Sequence, residues 1–352
     1  MTLVRSVTGF LLVSVAAWVL YLSTFVSQLG VHTVAEYWMY SAQVLKEHLL
    51  HTNAERHKVL FVGGSSAWMG IDAGLAGEIL GIRAINLGLH GMMPLDQLVN
   101  EVEPVLKAGD VVILPLEYEY YVIDTRYNAW FLNQTMVGRP EWFWRLPWRE
   151  KLRFVAAVPP LRVLEGTMTG LFADRLDITR KRQLEQDPEK ILEAMRQAWA
   201  QGALPDSNYT FRNIDQDGDA IVARGSFATY VYPLDRAVLA RNYPWKTLDA
   251  FAKTCAARHV RVYVGWPPVV KGLINFESRT ARRNTQVIMQ RLAEMGIPVL
   301  GHPADFAYDR SLFADSGYHL IHEGRALHTG HMLRLLQEIM GEGMTMPRHS
   351  PA

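Results

Sequence analysis

From Val7 to Val31 the chain runs VTGFLLVSVAAWVLYLSTFVSQLGV without one charged side chain. At 1.5 Å per residue a helix of that length crosses a hydrocarbon core of roughly 30 Å. It is apolar on every face and sits at the extreme terminus, which argues against a core helix of a soluble domain. The run is therefore expected to be a transmembrane helix, with residues 1–32 forming a short N-terminus and an anchor. A cleaved signal peptide is the rival: Ala16 and Ala17 are small residues near a possible cut, but the apolar run continues through Trp18, Leu20, Tyr21, Leu22 and Phe25. Arg5 precedes the run and Lys46 is the next basic side chain, so the positive-inside tendency puts the N-terminus in the cytoplasm and the rest outside.

Apolar side chains at helical spacing continue through TVAEYWMYSAQVLKEHLL, so residues 33–57 are expected to be a helical stalk or first packed helix. Beyond them the rhythm alternates. Lys58–Val62 reads as a buried strand entering the turn Gly63-Gly64-Ser65-Ser66, and a helix follows with Asp72 as its cap. Arg83–Asn86 is a second short strand, Leu95–Leu106 a helix, and Asp110–Leu116 a third strand, apolar on both faces as parallel strands are. This order predicts an α/β fold of three layers, a mostly parallel sheet flanked by helices, over residues 58–341. Its ligands belong at the carboxyl ends of the strands.

Between about 118 and 233 prolines and tryptophans interrupt the pattern, which marks a large insertion. The rhythm returns with a helix from about Leu234 to Ala257, a strand at Val260–Gly265, a helix at Thr280–Glu294, a strand at Pro298–Leu300 and a helix at Glu323–Met340. Residues 342–352 read as a flexible tail. With 36 Lys+Arg against 35 Asp+Glu, the net charge of +1 gives no case for a nucleic-acid partner. A lone cysteine, Cys255, permits neither an internal disulfide nor a Cys-x-x-Cys metal pair, and no metal or organic cofactor is called for.

Three turns carry chemistry. A serine becomes a nucleophile when a base takes its proton and donors stabilise the oxyanion, and Ser65 on a strand-to-helix turn suits that role. Ser66 is its competitor, since a one-residue shift of the turn exchanges them. Asn86-Leu87-Gly88-Leu89-His90-Gly91 follows the second strand, where Gly91 can bring its N–H to a substrate oxygen without a Cβ in the way. His90 is a weaker candidate base. Asp315-Ser316-Gly317-Tyr318-His319 precedes the last helix and pairs an imidazole with a carboxylate able to hold its tautomer. Taken singly, each turn has a bland alternative as a cap, a tight turn or a surface imidazole.

Together and in this order the turns resemble those of the SGNH, or GDSL-type, hydrolase superfamily. The resemblance covers roughly residues 58–116 and 260–340. It implies Ser65 as nucleophile, His319 as base, Asp315 as the base's orienting carboxylate, and Gly91 as oxyanion donor, with Asn86, Ser66 and Trp266 expected on the oxyanion or substrate side. Two departures stand out. The family's Gly-x-Asn-Asp after the third strand is replaced by Pro115-Leu116-Glu117-Tyr118-Glu119-Tyr120, and the Asp-x-x-His spacing is stretched by one residue. Both features look like the membrane-anchored branch that includes the D-alanyl transfer protein DltD and, more distantly, the alginate O-acetylation proteins AlgJ and AlgX. A carboxylate beside the nucleophile would repel an oxyanion, so Glu117 or Glu119 is expected to point away or bind a substrate hydroxyl.

The resemblance implies O-acylation, above all O-acetylation, of an exported polysaccharide at the outer face of a bacterial inner membrane, in the periplasm, with a multispanning acyltransferase and polysaccharide export or synthesis machinery as partners. A carbohydrate esterase or deacetylase with the same site is one alternative, and a non-catalytic polysaccharide-binding or assembly protein is another. The aromatic group Trp130, Phe131, Trp142, Phe143, Trp144 and Trp148 could stack on sugars or lie at a membrane interface, but core packing is the expectation. The strand exit Val264-Gly265-Trp266-Pro267-Pro268 either lines the pocket or simply stiffens the chain.

Overall fold

A computed structural model describes residues 2–31, 37–176, 187–201, 209, 213–222 and 224–341. The expected stalk start, residues 33–36, and the expected tail, 342–352, lie outside the described residues. The chain divides into two compact units. One comprises Met1–Tyr40 with Tyr127–Leu184, the other Ser41–Arg126 with Glu185–Ala352. The segment expected as one insertion is thus shared between the two.

The second unit is built on a parallel sheet. Helix α2 (Tyr37–Thr52) begins in the first unit and leads into strand β1 (Lys58–Phe61). One-turn helix α3 (Ser65–Trp68), α4 (Ala73–Leu80), β2 (Arg83–Asn86), α5 (Leu95–Val102) and β3 (Val111–Pro115) follow. After the intervening segment come α10 (Pro188–Ala200), α11 (Tyr243–Ala257), β4 (Arg261–Gly265), α12 (Arg279–Glu294) and α13 (His322–Met340). The four strands stand in the order β2-β1-β3-β4, all parallel, with Val59 opposite Ala84 on one side and Val111 on the other. Strands β1 and β3 are buried throughout, as parallel strands covered on both faces must be. The expected α/β architecture is therefore present.

The expected strand at Pro298–Leu300 is reduced to one bridge, Val264 to Val299, because Leu300 N–H donates to Val264 O and Val264 N–H to Pro298 O before the chain turns at Gly301. Asp72 caps α4 by accepting from Leu75 N–H at 2.9 Å. The helix expected from Leu234 begins only at Tyr243, where Asp124 accepts from the N–H groups of Asn242 and Tyr243.

At the amino-terminal end of the sheet Lys58 is fully buried and its Nζ lies 2.7 Å from the equally buried Asp110 carboxylate. The remaining donors of Lys58 reach the carbonyls of Ala54, Arg56 and Val105. A charge pair this dry persists because nearly every polar atom around it is matched.

The first unit is helical. Its α1 (Thr2–Ser27) contains the segment Ser6–Ser27, long and apolar enough to cross a membrane and exposed along most of its length. With it stand α6 (Ala129–Asn133), α7 (Pro140–Arg145), α8 (Trp148–Ala157) and α9 (Pro160–Leu176). Phe25 packs on Phe143 at 5.4 Å and on Phe154 at 6.3 Å between ring centroids, and Phe131 on Phe154 at 5.7 Å. Phe131, Trp142 and Phe143 are core, as expected, but Trp144 and Trp148 are exposed.

Candidate active site

The turn that carries Ser65 is made where β1 ends. Gly64 accepts no side chain there, since a Cβ would overlap both the Glu117 carboxylate and the Gly91 backbone. Its φ of −89° is ordinary, so close approach, and not a left-handed turn, is what requires glycine. The chain then turns into α3 and lifts Ser65 to the carboxyl edge of the sheet.

The loop before α13 brings His319. Phe313 and Leu320 form an antiparallel bridge, and Ala314 N–H donates to His319 O at 2.8 Å, closing a tight loop that holds Asp315 and His319 side by side. His319 Nδ1 lies 2.8 Å from Asp315 Oδ1, and His319 Nε2 lies 2.9 Å from Ser65 Oγ. Three side chains spread over 254 positions of sequence thus form a continuous hydrogen-bonded series. The stretched Asp-x-x-x-His spacing works because a hairpin loop, with no helix periodicity to satisfy, sets the pairing.

These residues open on a cavity of about 520 Å³ also lined by His90, Gly91, Glu119, Tyr209, Arg224 and Tyr230. Gly91 lines the same cavity as Ser65. Neither the Ser65 nor the Gly91 amide donates to any group among the described residues. His90 faces the same cavity, but its Nδ1 accepts from Met92 N–H, and burial, reinforced by the neighbouring His319, pulls its pKa down to about 4. It stays neutral near pH 7.

Asn86, Ser66 and Trp266 are placed elsewhere, and none of them lines the cavity. Asn86 is fully buried behind the nucleophile turn. Its Nδ2 donates to Ala67 O, Trp68 O and Asp219 Oδ1, and its Oδ1 accepts from Gly88 N–H, so it ties the first two turns together. Ser66 is buried beneath the turn. Trp266 is buried against Tyr118 and Tyr121, and its Nε1 donates to Gly301 O. No residue of the strand exit 264–268 lines the cavity.

Glu117 and Glu119 both line the cavity, and the expectation that one of them points away or binds a substrate hydroxyl is corrected only in its first part, for Glu117. It does not point away from Ser65: its carboxylate turns into the Gly63–Ser66 turn and accepts from Gly64 N–H at 3.1 Å and Ser66 N–H at 2.8 Å. Strands β1 and β3 are parallel neighbours, so the residue leaving β3 meets the turn leaving β1. Burial raises the Glu117 pKa, and the amides of Ser66 and Gly64 oppose that rise. Glu119 accepts from Tyr318 Oη at 3.3 Å, and burial, with Glu117 nearby, pushes it up to about 8.

Several site residues escaped the sequence reading. Tyr209, Arg224 and Tyr230 come from the interrupted segment, and Ala228 N–H donates to Asp315 O, laying that segment along the His319 loop. Asp219, the partner of Asn86, also accepts from Ala73 N–H, while Lys46 Nζ donates to Asn86 O and Gly218 O. The acidic turn Asp215-Gln216-Asp217-Gly218-Asp219 was a visible signal of this support.

No family model matches the chain, and no curated protein matches it. Among solved structures the chain is similar to a protein described as a lipolytic protein of the G-D-S-L family from Desulfitobacterium hafniense DCB-2. The identity is 12% over 79% of this chain and 98% of that one, and the TM-score is 0.36.

Proposed function

We propose that the protein is a serine acyltransferase that works through an acyl-serine at Ser65. The observation that carries this reading is the unbroken series from Ser65 Oγ to His319 Nε2 at 2.9 Å and from His319 Nδ1 to Asp315 at 2.8 Å. In this reading His319 takes the Ser65 proton as Oγ attacks an acyl carbonyl. Asp315 holds the imidazole tautomer and stabilises the imidazolium. The amides of Ser65 and Gly91 receive the oxyanion. His319 then returns the proton to the leaving group, and an incoming hydroxyl, deprotonated by the same imidazole, takes the acyl group from Ser65.

The acceptor we propose is a hydroxyl of an exported polysaccharide. A cavity of about 520 Å³ edged by Tyr209, Tyr230, Arg224 and Glu119 has the size and mixed polarity that suit a sugar unit. The apolar Ser6–Ser27 helix supports anchoring to a membrane, and Arg5 ahead of it supports the extracytoplasmic side for the catalytic unit. The likeness of the three turns to the membrane-anchored SGNH branch supports O-acetylation and a multispanning acyltransferase as donor partner. With water as acceptor, the same residues would give an esterase.

A fluorophosphonate probe tests the core of this reading. The wild type is expected to label at Ser65, Ser65→Ala to lose labelling, and His319→Ala to label far more slowly. An unlabelled wild type would sink it. Appearance of acetylated glycan with an acetyl donor, against release of acetate alone, separates transferase from esterase.

A further inference from the structure

The first unit carries an apolar surface that the chemistry of the second does not use. Helix α8 and helix α9 meet at Val158-Pro159-Pro160, and the stretch Phe154–Leu161 holds no charged side chain. Leu161 is 74% exposed and Leu152, Leu164 and Leu171 are exposed with it. In water such a surface is costly, about 25 cal/mol for each Å² of apolar area.

Its position along α1 is informative. Ala17, Trp18 and Tyr21 form one groove with Val155, Val158 and Pro160. Phe154 packs on Phe25, so the α8–α9 turn lies deeper along α1 than Phe25 does. Helix α9 then returns toward the Ser27 end: a Cβ on Gly166 would crowd the Gln28 side chain, and one on Gly170 would touch Val31. Small residues four apart let two helices approach closely where no hydrophobic effect drives them together. Trp18 and Tyr21 precede Ser27 by six to nine residues, which is roughly 9–14 Å at 1.5 Å per residue.

The turn also has few amides to satisfy at that depth. A lipid-facing N–H without a partner costs several kcal/mol. Pro159 and Pro160 have none to satisfy, while Val158 N–H donates to Phe154 O and Arg162 N–H to Pro159 O. Val158 itself is buried. At the other end of α8 stand exposed Trp144 and Trp148, with Lys151 over the first ring and Arg149 over the second. Tryptophan beside basic residues is what a headgroup layer selects.

We infer that α8 and α9 form a helical wedge seated in the leaflet at the Ser27 end of α1, its turn among phospholipid acyl chains and Trp144, Trp148, Arg149 and Lys151 at the phosphates. The occupant of the apolar face is lipid, in continuity with the lipid around α1. This rests on α1 being the membrane span.

Single-cysteine variants in a Cys255→Ala background, labelled with bimane and placed in phosphatidylcholine–phosphatidylglycerol nanodiscs, test it. Leu161→Cys and Leu164→Cys are expected to be quenched by acyl-chain nitroxide lipids and shielded from an aqueous nickel quencher, as Val13→Cys on the anchor is. Val238→Cys, 84% exposed in the other unit, is expected to behave oppositely. Thermal melts check that each labelled chain is folded. If Leu161 answers to nickel while Val13 answers to lipid, the wedge is wrong and the anchor stands. Shielding of Leu161 from both quenchers means protein covers it, which also overturns the proposal. If Val13 itself answers to nickel, the span reading fails first.

Discussion

The two ends of the β1–β3 pair handle buried charge in opposite ways. At the amino-terminal end Asp110 is matched by the Lys58 ammonium and by the backbone N–H groups of Lys58 and Lys107. At the carboxyl end Glu117 and Glu119 are buried with no ion pair among the described residues, and accept from the amides of Gly64 and Ser66 and from Tyr318 Oη. Burial without a cation favours the neutral acid. The first end is settled for stability. The second keeps costly groups beside the Ser65 cavity, and functional sites are where proteins tolerate such cost.

If that contrast is right, substitutions at the two ends must separate chemistry from stability. The largest effect is expected at Ser65→Ala, where turnover should fall about 10⁴-fold or more while the melting midpoint barely moves. A large loss of stability there would break the comparison. Next comes Asp110→Ala, which strands a buried ammonium and is expected to cost about 3–5 kcal/mol in urea unfolding. Surviving folded protein should still label at Ser65 with an unchanged rate.

Asn86→Ala is expected to cost about 1–3 kcal/mol by leaving the Gly88 N–H and Asp219 Oδ1 unmatched. Because Asn86 binds the two turns from behind, this variant should also slow labelling. Equal loss of stability with no change in labelling would show that it only staples the core.

The last expected effect is on pH dependence. Glu119 in the native state titrates at about 8, against 4.5 for an ordinary glutamate. Between those values the native state holds a proton that the unfolded state has released, so its contribution to stability falls as pH rises. Glu119→Gln should therefore show a melting midpoint that declines less than that of the wild type between pH 5 and pH 8. An unchanged slope would mean that Glu119 is ionised at neutral pH.

Much of this layout was legible along the chain. The uncharged Val7–Val31 run, the short apolar strands and the turns that follow them are local signals, because burial on both faces and strand-to-helix turns restrict residue type within a few positions. Ser65, His319 and Asp315 were nameable for the same reason, each lying in a turn of recognisable chemistry. The sense of Glu117 was not. An isolated carboxylate beside a nucleophile reads as repulsive, and only the parallel pairing of β1 with β3 reveals two amide donors waiting for it. Asn86 failed similarly: a turn asparagine suits substrate or scaffold, and its direction decides which.

The chain's local pattern by itself determined an apolar helix long enough for a bilayer, an α/β alternation and three chemically marked turns, since each depends on neighbours a few residues apart. Tertiary structure alone decided that Ser65 and not Ser66 meets His319, that Tyr209 and Tyr230 edge the cavity, and that the tryptophan-rich helices gather with α1. Those outcomes depend on which distant segments pack together, and packing is a property of the whole chain.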